Sequence, residues 1–206
     1  LGSIHYPIHY LDYETAANAV PLWDKTSPYQ QVPFQYSLHI KRSPDADVEH
    51  FEYLHQDACC PIRDLLENLS KQISPQGTVL VWNQSFEKKR NDEMANYSPE
   101  HANFLTSTND RVIDLMDPFR EDAIMDPAFL GSNSIKDVLP VLIPEFSYKD
   151  LEIKDGGSAA SEWQRVTLNN AVDKARVYTD LKKYCERDTK AMVLIHQALI
   201  RLTGSQ

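Results

Sequence analysis

The hydrophobic pattern changes period along the chain, and each change predicts a different kind of element. Residues 8–13 (IHYLDY) make an apolar run of strand length. Residues 34–42 (FQYSLHIKR) alternate apolar and polar positions, and 48–55 (VEHFEYLH) do so again beyond the turn SPDAD, so the first third predicts an antiparallel meander. Between the first two strands lies NAVPLWDKTSPYQQVP, whose prolines and polar residues deny it regular structure. From Pro61 the period lengthens: Ile62, Leu65, Leu66, Leu69 and Ile73 fall on one stripe of a helix opened by a proline. Residues 78–82 (TVLVW) are then a short, continuous apolar strand, as a position covered on both faces requires.

Beyond Asn83 the pattern is mainly helical. Residues 84–94 predict a charged helix, 111–116 a fifth strand or the start of a helix, and 132–140 a short helix that Pro140 stops. A Gly-Gly break precedes a helix over 158–170. Val177, Leu181, Tyr184, Asp188, Ala191, Ile195 and Ala198 recur in steps of three and four, which places them on one face of a long helix over 173–202. Strands first, then a strand-helix alternation, then helices predict an α/β domain with a five-stranded mixed sheet, its first three strands antiparallel, and helices on both faces. That domain is expected to occupy residues 4–206, with Leu1-Gly2-Ser3 as a leading remnant and a further natural domain N-terminal to it.

Composition narrows the function classes. No apolar run approaches the eighteen or so residues that span a bilayer, so no membrane partner is expected. With 30 acids against 21 bases the formal charge is −9, which argues against binding duplex nucleic acid through a broad basic surface. The small basic clusters, Lys88-Lys89-Arg90 among them, read as solvated faces. Cys59, Cys60 and Cys185 are an odd count with two adjacent members, no disulfide framework, so a reducing compartment and hence the cytoplasm are expected. His50, His55, Cys59 and Cys60 match no zinc spacing and are read as part of a strand and its flank. Cys185 is read as a small packed side chain.

The acids carry the chemistry. Asp12 and Glu14 are two apart where the first apolar run stops, so on a strand they share a face and can hold one cation. Glu87 lies in the first turn of the helix after the apolar strand, where the helix N-terminus favours its charge. Tyr184 and Asp188 are four apart on the long helix, with apolar residues along the rest of that face. Carboxylates from three elements suit two Mg²⁺ or Mn²⁺ ions about 3.5–4 Å apart, which activate a water and absorb the leaving oxygen's charge in phosphodiester cleavage. Tyr184, one turn before Asp188, can orient that water or help deprotonate it. By themselves, Asn83 also reads as a helix cap and Phe86 as core; Trp23, Tyr29 and Phe34 read equally as a border of the cleft or a seal on the sheet edge.

The segments DYET (12–15), NQSFE (83–87) and YCERD (184–188) resemble the three motifs of the ribonuclease H-like 3′-5′ exonuclease superfamily, in its variant with tyrosine before the last aspartate. The phrases PYQQVPFQYSLH, GTVLVWNQSFEKKR, GSNSIKDVLP and YCERDTKAM resemble more closely a bacterial domain family of unknown function within it. The resemblance implies a ribonuclease H-like fold and 3′-5′ hydrolysis of single-stranded DNA or RNA from a free 3′ end, yielding nucleoside monophosphates. It implies that Asp12, Glu14 and Asp188 hold the metals, Asp12 bridging them, that Tyr184 positions the water, and that the backbone near Thr15 and the side chains of Asn83 and Phe86 contact the terminal nucleotide. The second motif of that superfamily ends in aspartate; Glu87 moves the carboxylate by about 1.5 Å, and Asp114 is a candidate to compensate. The alternatives are a binding module that no longer cuts and a small-nucleotide phosphohydrolase.

Overall fold

The structure, a computed structural model, describes residues 2–169 and 171–204. Leu1 of the expected leading remnant and Asn170, the expected end of a helix, lie outside the described residues. β1 (Ile8–Ala16), β2 (Val32–Lys41) and β3 (Val48–Leu54) are the antiparallel meander that the alternation predicts. β1 is longer than its apolar run. Residues beyond Asp12 stay paired with β2, and the register shifts between Glu14 and Thr15, where the partner is Pro33 with no N–H to offer. The two acids therefore lie within a strand; a polar residue on a buried face only looks like a strand end.

α1 (Ile62–Leu69) leads to β4 (Thr78–Val81), which runs parallel to β1. α2 (Gln84–Tyr97) and α3 (Ala102–Asn109) then deliver β5 (Val112–Asp114), parallel to β4, so the sheet order is β3-β2-β1-β4-β5. α3 has only Leu105 and Thr108 buried, too few to make a legible stripe in the sequence. Residues 111–116 hold the strand, and a one-turn helix, α4 (Asp117–Arg120), follows.

Next come α5 (Ile135–Leu142), α6 (Gly156–Leu168) and α7 (Lys174–Thr203). Pro140 does not stop α5 but lies inside it. A proline there costs about 3 kcal/mol, which the full burial of Val138 and Leu139, about 1.5–3 kcal/mol each, offsets. The Gly-Gly pair is not a break before α6 but its first turn, capped by Asp155, whose side chain accepts from the Ser158 N–H. All seven residues of the expected α7 stripe are buried.

The helices take opposite faces. One apolar cluster joins Ile8 and Tyr10 to α5, α6 and α7; the other joins Leu11 and Tyr13 to α1, α2 and α3. Asp12 and Glu14, in phase with Tyr10, thus face α6 and α7. No helix among the described residues is long and apolar enough to cross a membrane.

Candidate active site

The site begins where β1 outruns its parallel neighbour. β4 pairs with β1 only over residues 78–80 against 8–10, so the β4 side of β1 is open from the level of Asp12 onward. After Val81 the chain turns sharply into α2, with Asn83 at φ 78°. Asp114, at the end of β5, holds that turn: its carboxylate accepts from the Asn83 and Gln84 N–H groups at 2.9 Å, from Met116 N–H at 3.0 Å and from Arg120 Nη1 at 3.3 Å. Asp114 is therefore not the compensating ligand that its position in sequence suggests. Its oxygens are spent on the backbone that aims Asn83, Phe86 and Glu87. Asp114→Ala would leave those part-buried N–H groups without their acceptor; the expected loss is about 1–3 kcal/mol of stability, read as a lower urea midpoint, with Asp114→Asn between it and the parent.

Asn83 does not cap α2 with its side chain, since its Oδ1 accepts instead from Ser85 Oγ at 2.6 Å. Phe86 is not core. Its half-buried ring lines a cleft of about 850 Å³, with the Arg90 guanidinium 4.8 Å from its centre. Asp12, Glu14 and Thr15 from β1, Asn83 and Glu87 from the β4–α2 turn, and Tyr184 and Asp188 from α7 line the same cleft. Donor atoms of Asp12, Glu14 and Cys185 lie within 4.8 Å of one another; Glu87 and Asp188 are further walls of that cleft. Thr15 Oγ1 donates to Gln31 Oε1 at 2.6 Å, which ties the end of β1 across the cleft mouth.

The electrostatics are strained. Glu14, Glu87 and Asp188 are 6%, 2% and 7% exposed. Burial, then the neighbouring Asp188, pushes the Asp12 carboxyl well above the carboxylate range; burial, then Asp12 and Asp188, does so for Glu14; burial, then Asp12 and Glu14, does so for Glu87. Asp188 rises to about 6 through burial, held back by the Tyr148 hydroxyl, which donates to Oδ1 at 2.6 Å, and by Lys136. Among the described residues, Glu87 Oε2 is buried with no hydrogen-bond partner. Cys185 is fully buried, as its packed reading requires, yet its Sγ lies 4.0 Å from Asp12 Oδ2. Burial and the acids push that thiol up, so it stays protonated.

Lys136, on α5, is the cation that sequence reading missed. Its ammonium donates to Tyr184 Oη at 2.9 Å and to the Lys154 carbonyl at 2.6 Å, and its charge lowers the Asp12, Glu14 and Asp188 carboxyls. Burial and Asp188 raise the Tyr184 phenol, so it too stays protonated. Gly156 was also missed: a side chain there would meet Glu14 Oε2 at 3.4 Å, so the N-terminus of α6 comes up against that carboxylate. Lys136 lies in a phrase quoted above for resemblance, but nothing in its spacing tied it to the acids. Tyr148 carried no signal at all.

Phe34 is fully buried and stacks on Trp163 with ring centres 4.4 Å apart; Trp23 packs on the same indole at 6.4 Å and donates to the Ala58 carbonyl; Tyr29 is exposed elsewhere, so none of the three borders the cleft. Arg90 is buried beside Glu93 rather than on a solvated face. His50 and His55 separate, the first beside His39 and the second beside Cys59 and Asp64.

Comparison with known proteins adds the following. The family model described as "Domain of unknown function (DUF2779)" matches residues 9–134, a stretch that holds Asp12, Glu14 and Glu87. An uncharacterized protein of Mycoplasma pneumoniae is 29% identical over 206 residues, covering 90% of this chain and 31% of that protein. One of Mycoplasma genitalium is 28% identical, with 90% and 31% covered, and one of Ureaplasma parvum 26% identical, with 94% and 31% covered. The chain thus spans about a third of the length of these relatives. No solved structure matches it.

Proposed function

We propose metal-dependent hydrolysis of phosphodiester bonds for this chain, which belongs to the DUF2779 family of domains of unknown function. The reaction proposed is removal of nucleoside monophosphates from the 3′ end of single-stranded DNA or RNA. One observation carries it: buried carboxylates from three elements face one cleft, repel each other, and leave Glu87 Oε2 without a partner among the described residues. Such a cluster gains most from an added positive charge.

The donors fit Mg²⁺ or Mn²⁺. Asp12, Glu14, Glu87 and Asp188 offer only carboxylate oxygen, the ligand these hard ions prefer. Two ions held there would lower the pKa of a bound water and stabilise charge on the attacking and leaving oxygens. The chain's own groups do the rest. Lys136 fills one lone pair of the Tyr184 hydroxyl and holds the phenol in place, so Tyr184 orients a water through its hydroxyl and does not act as a phenolate base. Tyr148 fixes Asp188 by a 2.6 Å bond. Phe86 and Asn83 line the cleft and are the groups proposed to meet the terminal base and sugar, and the cleft's volume falls in the range of about 300–1,000 Å³ typical of ligand sites. A sheet with three antiparallel strands continued by two parallel ones supports the ribonuclease H-like reading.

The test is degradation of 3′- and 5′-labelled single-stranded DNA and RNA in Mg²⁺ and in Mn²⁺, beside Asp12→Ala and Asp188→Ala. Stepwise shortening from the 3′ end that both substitutions abolish is the expected result. A folded parent that cuts neither polymer with either ion, yet retains bound oligonucleotide, would place a non-cutting binding module first. Turnover on dinucleotides but not on longer strands would indicate a small-nucleotide phosphohydrolase.

A further inference from the structure

Away from the cleft, a second group of donors gathers where α7 crosses β2 and β3. His39 and His50 are directly opposed in the sheet register, and their rings stack with centres 4.5 Å apart. Glu186 of α7 reaches over them, with Oε1 4.0 Å from His50 Nδ1, and one donor atom of each of the three lies within 4.8 Å of the others.

One arrangement of protons satisfies every hydroxyl and ring contact here. Thr189 donates its single hydroxyl proton to the Glu186 carbonyl at 3.2 Å. In that arrangement the 2.6 Å bond between Ser37 and Thr189 is donated by Ser37. With both hydroxyl protons used, His50 Nε2 donates to Ser37 Oγ at 2.9 Å and His39 Nδ1 donates to Thr189 Oγ1 at 2.8 Å. A neutral imidazole carries one N–H, so His39 Nε2 and His50 Nδ1 are both left as lone pairs. In its neutral form, in that arrangement, His50 presents the Nδ1 lone pair to a carboxylate oxygen 4.0 Å away, beyond hydrogen-bond distance.

We propose that His39 Nε2, His50 Nδ1 and the Glu186 carboxylate bind a divalent transition-metal ion of the zinc class, with water in the remaining position. Two imidazoles and a carboxylate suit such an ion better than the hard ions of the cleft. Donors at about 2.0–2.2 Å from one tetrahedral ion stand about 3.3–3.6 Å apart, so the 4.0 Å gap must close by about half an ångström, a movement the half-exposed Glu186 side chain is free to make. The hydroxyl that holds the far nitrogen of each ring is the outer support that fixes ligating histidines. Lys190, whose charge acts on His39, is the opposing group the ion must outweigh. The set formed by His55, Cys59 and Asp64 lacks this arrangement, because Tyr53 Oη meets His55 Nδ1 at 2.9 Å and the Cys59 carbonyl takes its Nε2 at 3.1 Å. An ion on His39, His50 and Glu186 would pin the edge strand β3 to the helix that carries Tyr184 and Asp188.

The experiment is titration of chelator-treated protein with Zn²⁺ by calorimetry and with Co²⁺ by visible spectroscopy, both in an Asp12→Asn background that disables the cleft. One equivalent of Zn²⁺ is expected, with affinity at least about tenfold weaker in His50→Ala, in Glu186→Gln and in Ser37→Ala. Co²⁺ should give visible d–d bands without a sulfur charge-transfer band. Far-UV circular dichroism checks each variant's fold; Glu186 is half exposed, so its substitution keeps the test alive if a histidine variant does not fold. No stoichiometric Zn²⁺ binding, an affinity unchanged by Glu186→Gln, or a charge-transfer band that Cys59→Ser removes would overturn the assignment.

Discussion

Asp12→Asn is expected to abolish ion binding in the cleft while making the ion-free protein more stable. The two effects have one cause. Asp12 stands at the centre of the acids: it raises the carboxyls of Glu14 and Glu87, and Asp188 raises its own. Asparagine keeps the shape but takes away a negative charge that burial and like neighbours make costly, so the ion-free protein should gain about 0.5–2 kcal/mol at pH 8, a stability won at the expense of function. The same charge is what a divalent ion would use, and losing several kcal/mol of metal-borne transition-state stabilisation corresponds to a fall in cleavage rate on the order of 10³-fold or more. Thermal melts without ions, Mn²⁺ calorimetry and the labelled-strand assay read the three outcomes. Asp45→Asn, on an exposed turn, is the control and should stay within about 0.5 kcal/mol of the parent. A variant less stable than the parent without ions would mean that the carboxylate is structurally satisfied and the strained-cluster account wrong.

The second large effect is on pH. Burial pushes Asp188 up to about 6 in the folded protein, above the ordinary aspartate value of 3.8, and Asp12, Glu14 and Glu87 are raised as well. A raised carboxyl means that the folded state holds more protons than the unfolded state, so stability must fall as pH rises. For Asp188 the loss begins near pH 4 and runs through about pH 6, and the raised Asp12, Glu14 and Glu87 carboxyls add losses of the same sign. Ion-free protein should therefore melt lower at pH 8 than at pH 6, and saturating Mn²⁺ should recover the difference at pH 8 but much less at pH 5, where protons compete for the same oxygens. Subtracting the Asp12→Asn curve from the parent curve removes the contribution of carboxyls elsewhere, such as Asp173, whose pairing with Arg165 acts in the opposite direction. A parent-minus-variant difference that is flat from pH 5 to pH 8 would show that the cluster's protonation is not linked to folding.

The molecule separates what a pattern can carry from what only packing can. Period-two alternation revealed the meander, and the three- and four-step recurrence revealed α7 with its buried stripe, because both are local consequences of which face is covered. The acids were legible for the same reason. A charge on a face that is otherwise apolar is conspicuous in one dimension, and Asp12, Glu14, Glu87, Tyr184 and Asp188 do line a common cleft. The sequence determined which groups are anomalous and, through those periods, which way most of them point. It could not determine company. Asp114 resembles a fifth ligand in the sequence, yet it is consumed by backbone N–H groups across two strand ends. Lys136 and Tyr148 resemble surface residues, yet they sit on Tyr184 and Asp188 from 48 and 40 positions away. His39, His50 and Glu186 come from β2, β3 and α7, and no spacing links them. Hydrogen bonds, ion pairs and ligand sets form between segments distant in the chain, and only the folded arrangement of sheet and helices brings those segments within the 3–4 Å at which such forces act.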